Sequence, residues 1–226
     1  MGGILGLCLD AICLQEQGAS GGGPSVLACA FALPASRLVS ATLICGLGPP
    51  DMGMRGASLA HRAGFPYGWR WTPTWLLRWF LERDATYRVH VSEEQRLQIK
   101  RSAAQQARIV HPKDKAIYAD EDVLRLSIRA VSEALAQGLG VAREDGRVSC
   151  QDWGFRIEDV RKDLRVMLWY GVEDSFVPIR HGVEIAARLA ERGGEERVER
   201  RFEQDTHSSI FFAWRREALV EILRDL

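Results

Sequence analysis

Three residues stand out for the chemistry they could do together: a serine among glycines near the start, and an aspartate and a histidine near the end. Ser20 lies in Gly18-Ala19-Ser20-Gly21-Gly22, a G-x-S-x-G pattern. Such a pattern lets a tight strand-to-helix turn present a serine hydroxyl above a sheet. In a chain with 21 glycines the same string also reads as a plain glycine-rich turn. What favours chemistry is an apolar helix expected directly after it, whose first amides, led by that of Gly21, would face a developing oxyanion.

A serine hydroxyl is a weak nucleophile until a positioned base takes its proton, and the base needs a carboxylate to fix its tautomer. Of the five histidines, His61, His90, His111 and His181 fall in the central helical stretch or on a late helix. His207 follows the last strand candidate, in the polar segment Asp205-Thr206-His207-Ser208-Ser209, expected as a loop. It is the natural base, with a surface helix-capping histidine as the plainer reading. Asp174 follows Trp169-Tyr170-Gly171-Val172-Glu173 just beyond an apolar run. It is the candidate acid. A turn aspartate before Pro178 is the alternative, and Glu173 or Asp51 are rival acids.

These residues need a scaffold, and the hydrophobic pattern supplies one. Residues 4–15 form an apolar, strand-like run. A turn is expected over residues 18–24, and a helix ends at Leu33-Pro34. Residues 38–46 and 164–171 read as buried parallel strands, short and rich in apolar side chains. A helix is expected over 179–191, a charged strand over 198–203 and an amphipathic helix over 210–226. Between Asp51 and Cys150 strand signals stop and helical ones take over. There Thr72-Pro73 reads as a cap and first turn for a helix carrying Trp75, Trp79 and Phe80. These aromatic side chains would line an apolar substrate pocket or glue the helical block to the core. Alternating strands and helices specify a parallel α/β sheet with functional residues at the strands' carboxyl ends. The organisation expected is a core over residues 1–50, a helical cap insertion over 51–150, and the rest of the core over 151–226.

Composition narrows the class. The 226 residues carry 30 basic and 30 acidic side chains and a net charge of zero, which gives no field for nucleic acid. Five scattered cysteines without metal spacing read as free thiols of a reducing, cytoplasmic setting. The apolar opening is too short to span a bilayer, and Gly6 breaks the acylation pattern that Gly2 would begin. The basic stretch Lys100, Arg101, Arg108, Lys113 and Lys115 is interleaved with acids and reads as solvated surface.

The ordered motifs Gly18-Ala19-Ser20-Gly21-Gly22-Gly23-Pro24, Gly46-Leu47-Gly48-Pro49, Asp152-Trp153-Gly154-Phe155 and Tyr170-Gly171-Val172-Glu173-Asp174-Ser175-Phe176-Val177-Pro178 resemble those of the α/β-hydrolases of the AB hydrolase-1 type. The resemblance implies a mostly parallel sheet with an inserted cap, a Ser20–His207–Asp174 triad, the Gly21 amide in the oxyanion hole, and no metal or organic cofactor. It also implies further strands and a His-Gly oxyanion loop upstream of the nucleophile. Only seventeen residues precede Gly18, so these are expected to be lacking, and Gln15-Glu16-Gln17 are a poor match to a central strand. The expected activity is hydrolysis of a small apolar carboxylic ester. The rival is a non-catalytic hydrolase-like protein: a binding or interaction module, or an incomplete gene product.

Overall fold

The computed structural model describes residues 14–106, 111–191, 195–214, 216, 217 and 220. The apolar opening through Cys13 and most of the last twelve residues lie outside these, as does Arg108. Four parallel strands form one sheet in the order β1 (Leu14–Ala19), β2 (Leu38–Ile44), β3 (Arg165–Gly171), β4 (Val198–Glu203). Spatial order equals sequence order, so all four carboxyl ends open on one edge, where each strand is followed by a candidate residue or its neighbour.

Gln15-Glu16-Gln17 lie inside β1, which runs on past residue 15, where the strand-like run was expected to end. These residues pair with Ser40, Ala41 and Thr42 in register, after a shift at Leu14. Pairing uses backbone groups, and among the described residues β1 pairs with β2 alone, so polar side chains do not forbid a strand there. The turn accordingly begins at Ser20, with a 3-10 turn over Ser20–Gly22 and helix α1 over Gly23–Ala32.

Both faces of the sheet are covered. In β3, Val166, Leu168 and Tyr170 alternate with Met167 and Trp169, and all five are buried. The first set packs with Leu27 of α1 and with Ile185 and Leu189 of α9 (Arg180–Ala190) in one core cluster. The second packs with Cys45 and with Ile210 of α10 (His207–Ala213). A period of two thus sends successive side chains to opposite layers. Helix α10 begins three residues earlier than the pattern suggested, because Thr206 caps it by accepting from the Ser209 N–H at 3.1 Å. His207 is therefore the first residue of a helix rather than a member of a loop.

Helices α2 (Leu59–Ala63), α3 (Trp69–Trp71), α4 (Thr74–Leu81), α5 (Glu93–Gln106), α6 (Pro112–Ala119), α7 (Glu121–Ala134) and α8 (Leu139–Ser149) lie between β2 and β3. They carry a small core of their own, Leu97, Leu124 and Ile128. Arg125 joins α7 to α5 through Glu93 at 3.2 Å and Glu94 at 2.6 Å, and pairs with Glu121 of its own helix at 2.9 Å. Lys100 pairs with Asp84 at 2.9 Å and Arg101 with Glu121 at 2.7 Å, as a solvated surface would. Lys113 departs from that reading: it lies 3.0 Å from Asp205 and 3.6 Å from Glu173, bridging α6 to the sheet's carboxyl edge.

Helix α4 also differs from expectation. It starts at Thr74, Pro73 stands at its N-cap without a side-chain capping bond, and only Leu77 is buried. Among the described helices none is long and apolar enough to cross a membrane.

Candidate active site

The site is built strand by strand. Ser20 directly follows β1 at φ 52°, a left-handed conformation that a non-glycine residue adopts only under local constraint. Its carbonyl accepts from the Leu47 N–H at 2.9 Å, which ties the turn to the loop after β2. Glycine is required at position 23. A Cβ there would sit 2.5 Å from the Leu47 carbonyl oxygen and 2.7 Å from its nitrogen, so any larger residue would push α1 off that loop.

Asp174 follows β3 and is 5% exposed. Its Oδ1 accepts from the backbone N–H groups of Phe176 at 2.7 Å and Val177 at 2.9 Å. Its Oδ2 lies 2.7 Å from Nδ1 of His207. Of the three candidate acids, then, one meets the histidine. Glu173 turns instead to His111 at 3.4 Å and to Lys113, and Asp51 pairs with Arg188 at 2.7 Å. No hydrogen bond joins Ser20 Oγ to His207 among the described residues; such contacts are often long in unliganded sites and tighten with substrate.

Helix α6 holds the histidine's segment from above. The Tyr118 hydroxyl lies 2.9 Å from Ser208 Oγ, and Thr206 donates to Asp114. Asp205 accepts from Ser209 Oγ at 2.7 Å and from Trp214 Nε1 at 2.9 Å. These donors, with Lys113, hold its carboxyl below the usual range despite burial.

Three residues that sequence reasoning passed over belong to this region. Cys45, which directly follows β2 at φ 47° and is buried, has its sulfur within 4.8 Å of the facing Asp174 oxygen and His207 nitrogen. Burial first, and the Asp174 charge second, push its thiol far above the ordinary range, so it stays protonated beside that carboxylate. His61 lies beyond Phe176, 4.2 Å ring to ring, and Phe176 in turn lies 5.1 Å from His207.

The third is His181. It is fully buried; Nδ1 accepts from the Gly48 N–H at 3.0 Å and Nε2 donates to the Gly53 carbonyl at 3.0 Å. Both ring nitrogens are thus used to pin the loop after β2 onto α9. Burial holds its pKa below the ordinary value, so the folded state binds fewer protons than the unfolded state. This contribution to stability is full above pH about 6.5 and is lost as pH falls through the depressed folded value. Thermal unfolding followed from pH 8 to 5 will show Tm falling on the acid side. His181→Gln will have a lower Tm at pH 8 and a shallower fall; His61, shifted in the same direction, leaves part of the slope. An unchanged slope in the variant would remove His181 from the account.

Trp75, Trp79 and Phe80 are 71%, 57% and 52% exposed, and the Arg83 guanidinium lies 3.9 Å over the Trp79 ring. They form an outward surface of α4, which matches neither a closed pocket nor glue between cap and core. A cleft of about 790 Å³ is lined by Asp51, Trp153, Phe155, Glu158 and Arg188 among others and includes none of Ser20, Asp174 and His207.

No family model and no curated protein matches this sequence. Solved structures do. A variant of the meta-cleavage product hydrolase of Pseudomonas fluorescens, complexed with acetates, superposes with a TM-score of 0.51 at 17% identity, over 94% of this chain and 65% of that one. A hydrolase from Pseudomonas aeruginosa gives 0.49 at 18% identity, over 93% and 64%. A serine hydrolase from a Cycloclasticus bacterium that degrades polyaromatic hydrocarbons gives 0.43 at 15%, over 94% and 64%. The chain spans about two thirds of the length of each. At such identities the likeness speaks to architecture. The parallel sheet order, the helices inserted between β2 and β3 and the first of these superpositions together place the chain in the α/β-hydrolase fold.

Proposed function

We propose that this protein is a serine hydrolase acting on a small carboxylic ester, with Ser20 as nucleophile, His207 as base and Asp174 as the acid that orients it. The observation that carries the reading is the 2.7 Å contact between His207 Nδ1 and a buried Asp174 carboxylate whose other oxygen already holds two backbone N–H groups. That contact leaves Nε2 to take a proton and stabilises the imidazolium that results. In the proposed sequence Ser20 Oγ attacks the ester carbonyl as its proton passes to His207. The Gly21 amide faces the oxyanion, His207 returns the proton to the leaving alcohol, and water then cleaves the acyl-serine by the same route. The groups named suffice for acyl transfer without a metal or organic cofactor. The helices over residues 51–150 act as the cap that shapes the acyl pocket, with Trp75, Trp79 and Phe80 exposed on its outer surface.

The test is turnover of short-chain p-nitrophenyl esters by the wild type and Ser20→Ala, with circular dichroism confirming that both fold. The expected result is a loss of at least about a thousandfold in kcat, with Tm unchanged within a few degrees. Equal activity in the two proteins would overturn the assignment of Ser20. A folded wild type without turnover would favour the second reading, a ligand-binding module, for which the open contact between Ser20 and His207 speaks.

A further inference from the structure

We infer that His61 forms a second hydrogen-bonding subsite of this active site, which binds an additional oxygen atom on the substrate beyond those of the scissile ester. The inference deepens the proposed function and rests on it.

The segment that carries His61 is docked on the loop that carries the acid. The Ser58 N–H donates to the Ser175 carbonyl at 2.8 Å, and a Cβ on Gly56 would sit 3.3 Å from Pro178. Ser58 caps α2: its Oγ accepts from the His61 N–H at 3.4 Å and lies 2.7 Å from His61 Nδ1. A hydroxyl that accepts the backbone N–H has its own proton to give, and Nδ1 is the group in line to receive it. With the hydroxyl proton assigned to this contact, the neutral ring carries its own proton on Nε2. The ring packs edge-on to Phe176, the same side chain that packs against His207, so both imidazoles share one aromatic wall. Burial, and then the field of His207, hold His61 below the usual histidine pKa, and it stays neutral at pH 7. Among the described residues Nε2 has no hydrogen-bond partner. A neutral N–H donor in a half-buried wall beside the base suits an ether, hydroxyl or carbonyl oxygen. A purely alkyl acyl chain would leave it unpaired.

Two nearly isosteric esters make the test: p-nitrophenyl butyrate, and p-nitrophenyl methoxyacetate, in which an ether oxygen replaces one methylene. The quantity read is the ratio of kcat/KM for methoxyacetate over butyrate in the wild type, His61→Phe and His61→Asn. His61→Phe keeps the wall and removes the donor, and His61→Asn keeps a donor. A neutral hydrogen bond corresponds to roughly a two- to tenfold preference, so the ratio is expected to fall by about fivefold in His61→Phe, mainly through KM, and to recover in part in His61→Asn. Because each protein supplies its own ratio, a smaller folded fraction scales both substrates equally and does not mimic the effect. An unchanged ratio in His61→Phe, with turnover intact, overturns the subsite alone. Loss of both activities by the same factor assigns His61 to holding the fold or to the step all esters share, which also overturns it. Absence of turnover of either ester by the folded wild type removes the hydrolase reading itself, and the subsite with it.

Discussion

Asp174→Asn will lower kcat on activated esters by about three to four orders of magnitude while leaving the protein folded. The asparagine oxygen can still accept from the Phe176 and Val177 N–H groups, which Asp174 Oδ1 meets at 2.7 and 2.9 Å. The loop around residue 174 therefore keeps its shape. The other arm becomes an NH2 group facing His207 Nδ1, where the carboxylate oxygen now lies at 2.7 Å. Two donors cannot share that position, so the imidazole either turns away or places its proton on Nε2, and in both cases it no longer accepts the Ser20 proton. The lost charge removes the stabilisation of the imidazolium as well. The measurement is kcat from pH 6 to 9 with Tm in parallel. A residual rate within tenfold of the wild type would show that Asp174 does not serve His207, and Glu173 and Asp51, bound elsewhere at their own cationic or imidazole partners, would offer no ready replacement.

This pairing was legible in the sequence because its two members follow recognisable strands. Arg165–Gly171 is an apolar run whose six residues after Arg165 are all buried, and Val198–Glu203 was legible to the residue although four of its side chains are charged and one residue is exposed. Length, spacing and the alternation of strand and helix carried that reading. Local composition misled where pairing or capping overrode it. The polar Gln15-Glu16-Gln17 passed for the end of a strand, yet its backbone completes one. The Thr206 hydroxyl starts α10 where a polar string suggested a loop. Helix α4, whose aromatic side chains suggested a pocket lining or a seam with the core, buries only Leu77, since what covers a helix depends on its tertiary neighbours and not on its own pattern.

The residues that surround the triad candidates were illegible for a different reason. His181 meets Gly48 and Gly53 across 133 and 128 positions of sequence, and Cys45 reaches Asp174 only because β2 and β3 lie side by side with Ile44 opposite Trp169. His61 approaches His207 through Phe176. None of these has a motif, because each contact is created by the register of parallel strands and the docking of the residues after them. A histidine or cysteine read alone carries no mark of the partner the fold will give it.

The same register makes one glycine a severe test of how the proposed acid and base are brought together. Gly171 ends β3, and a Cβ built on it would lie 2.2 Å from the Asp205 carbonyl oxygen, 2.9 Å from its carbon and 3.3 Å from Ile210 Cγ1. The contact is with backbone, so no side chain can swing aside to relieve it. Around it the two loops are knitted by the Val172 N–H to the Glu203 carbonyl at 2.8 Å and the Glu173 N–H to the Asp205 carbonyl at 3.0 Å. Gly171→Ala must therefore push the segment bearing Thr206 and His207 away from the one bearing Asp174. Overpacking of this kind costs about 3 kcal/mol, a large share of a domain's marginal stability. The fraction that folds will have the 2.7 Å contact between Asp174 and His207 stretched, and activity per folded molecule will fall as well. Gly140→Ala is the matched control. It lies in α8 with nothing within 4 Å of its built Cβ, and alanine should stabilise that helix by up to about 1 kcal/mol. Urea unfolding of both variants, with kcat corrected for the folded fraction, separates the two effects. A Gly171→Ala protein within about 1 kcal/mol of wild type and equally active would mean that the Asp205 segment yields freely, and that the close approach of these loops is not what sets Asp174 against His207.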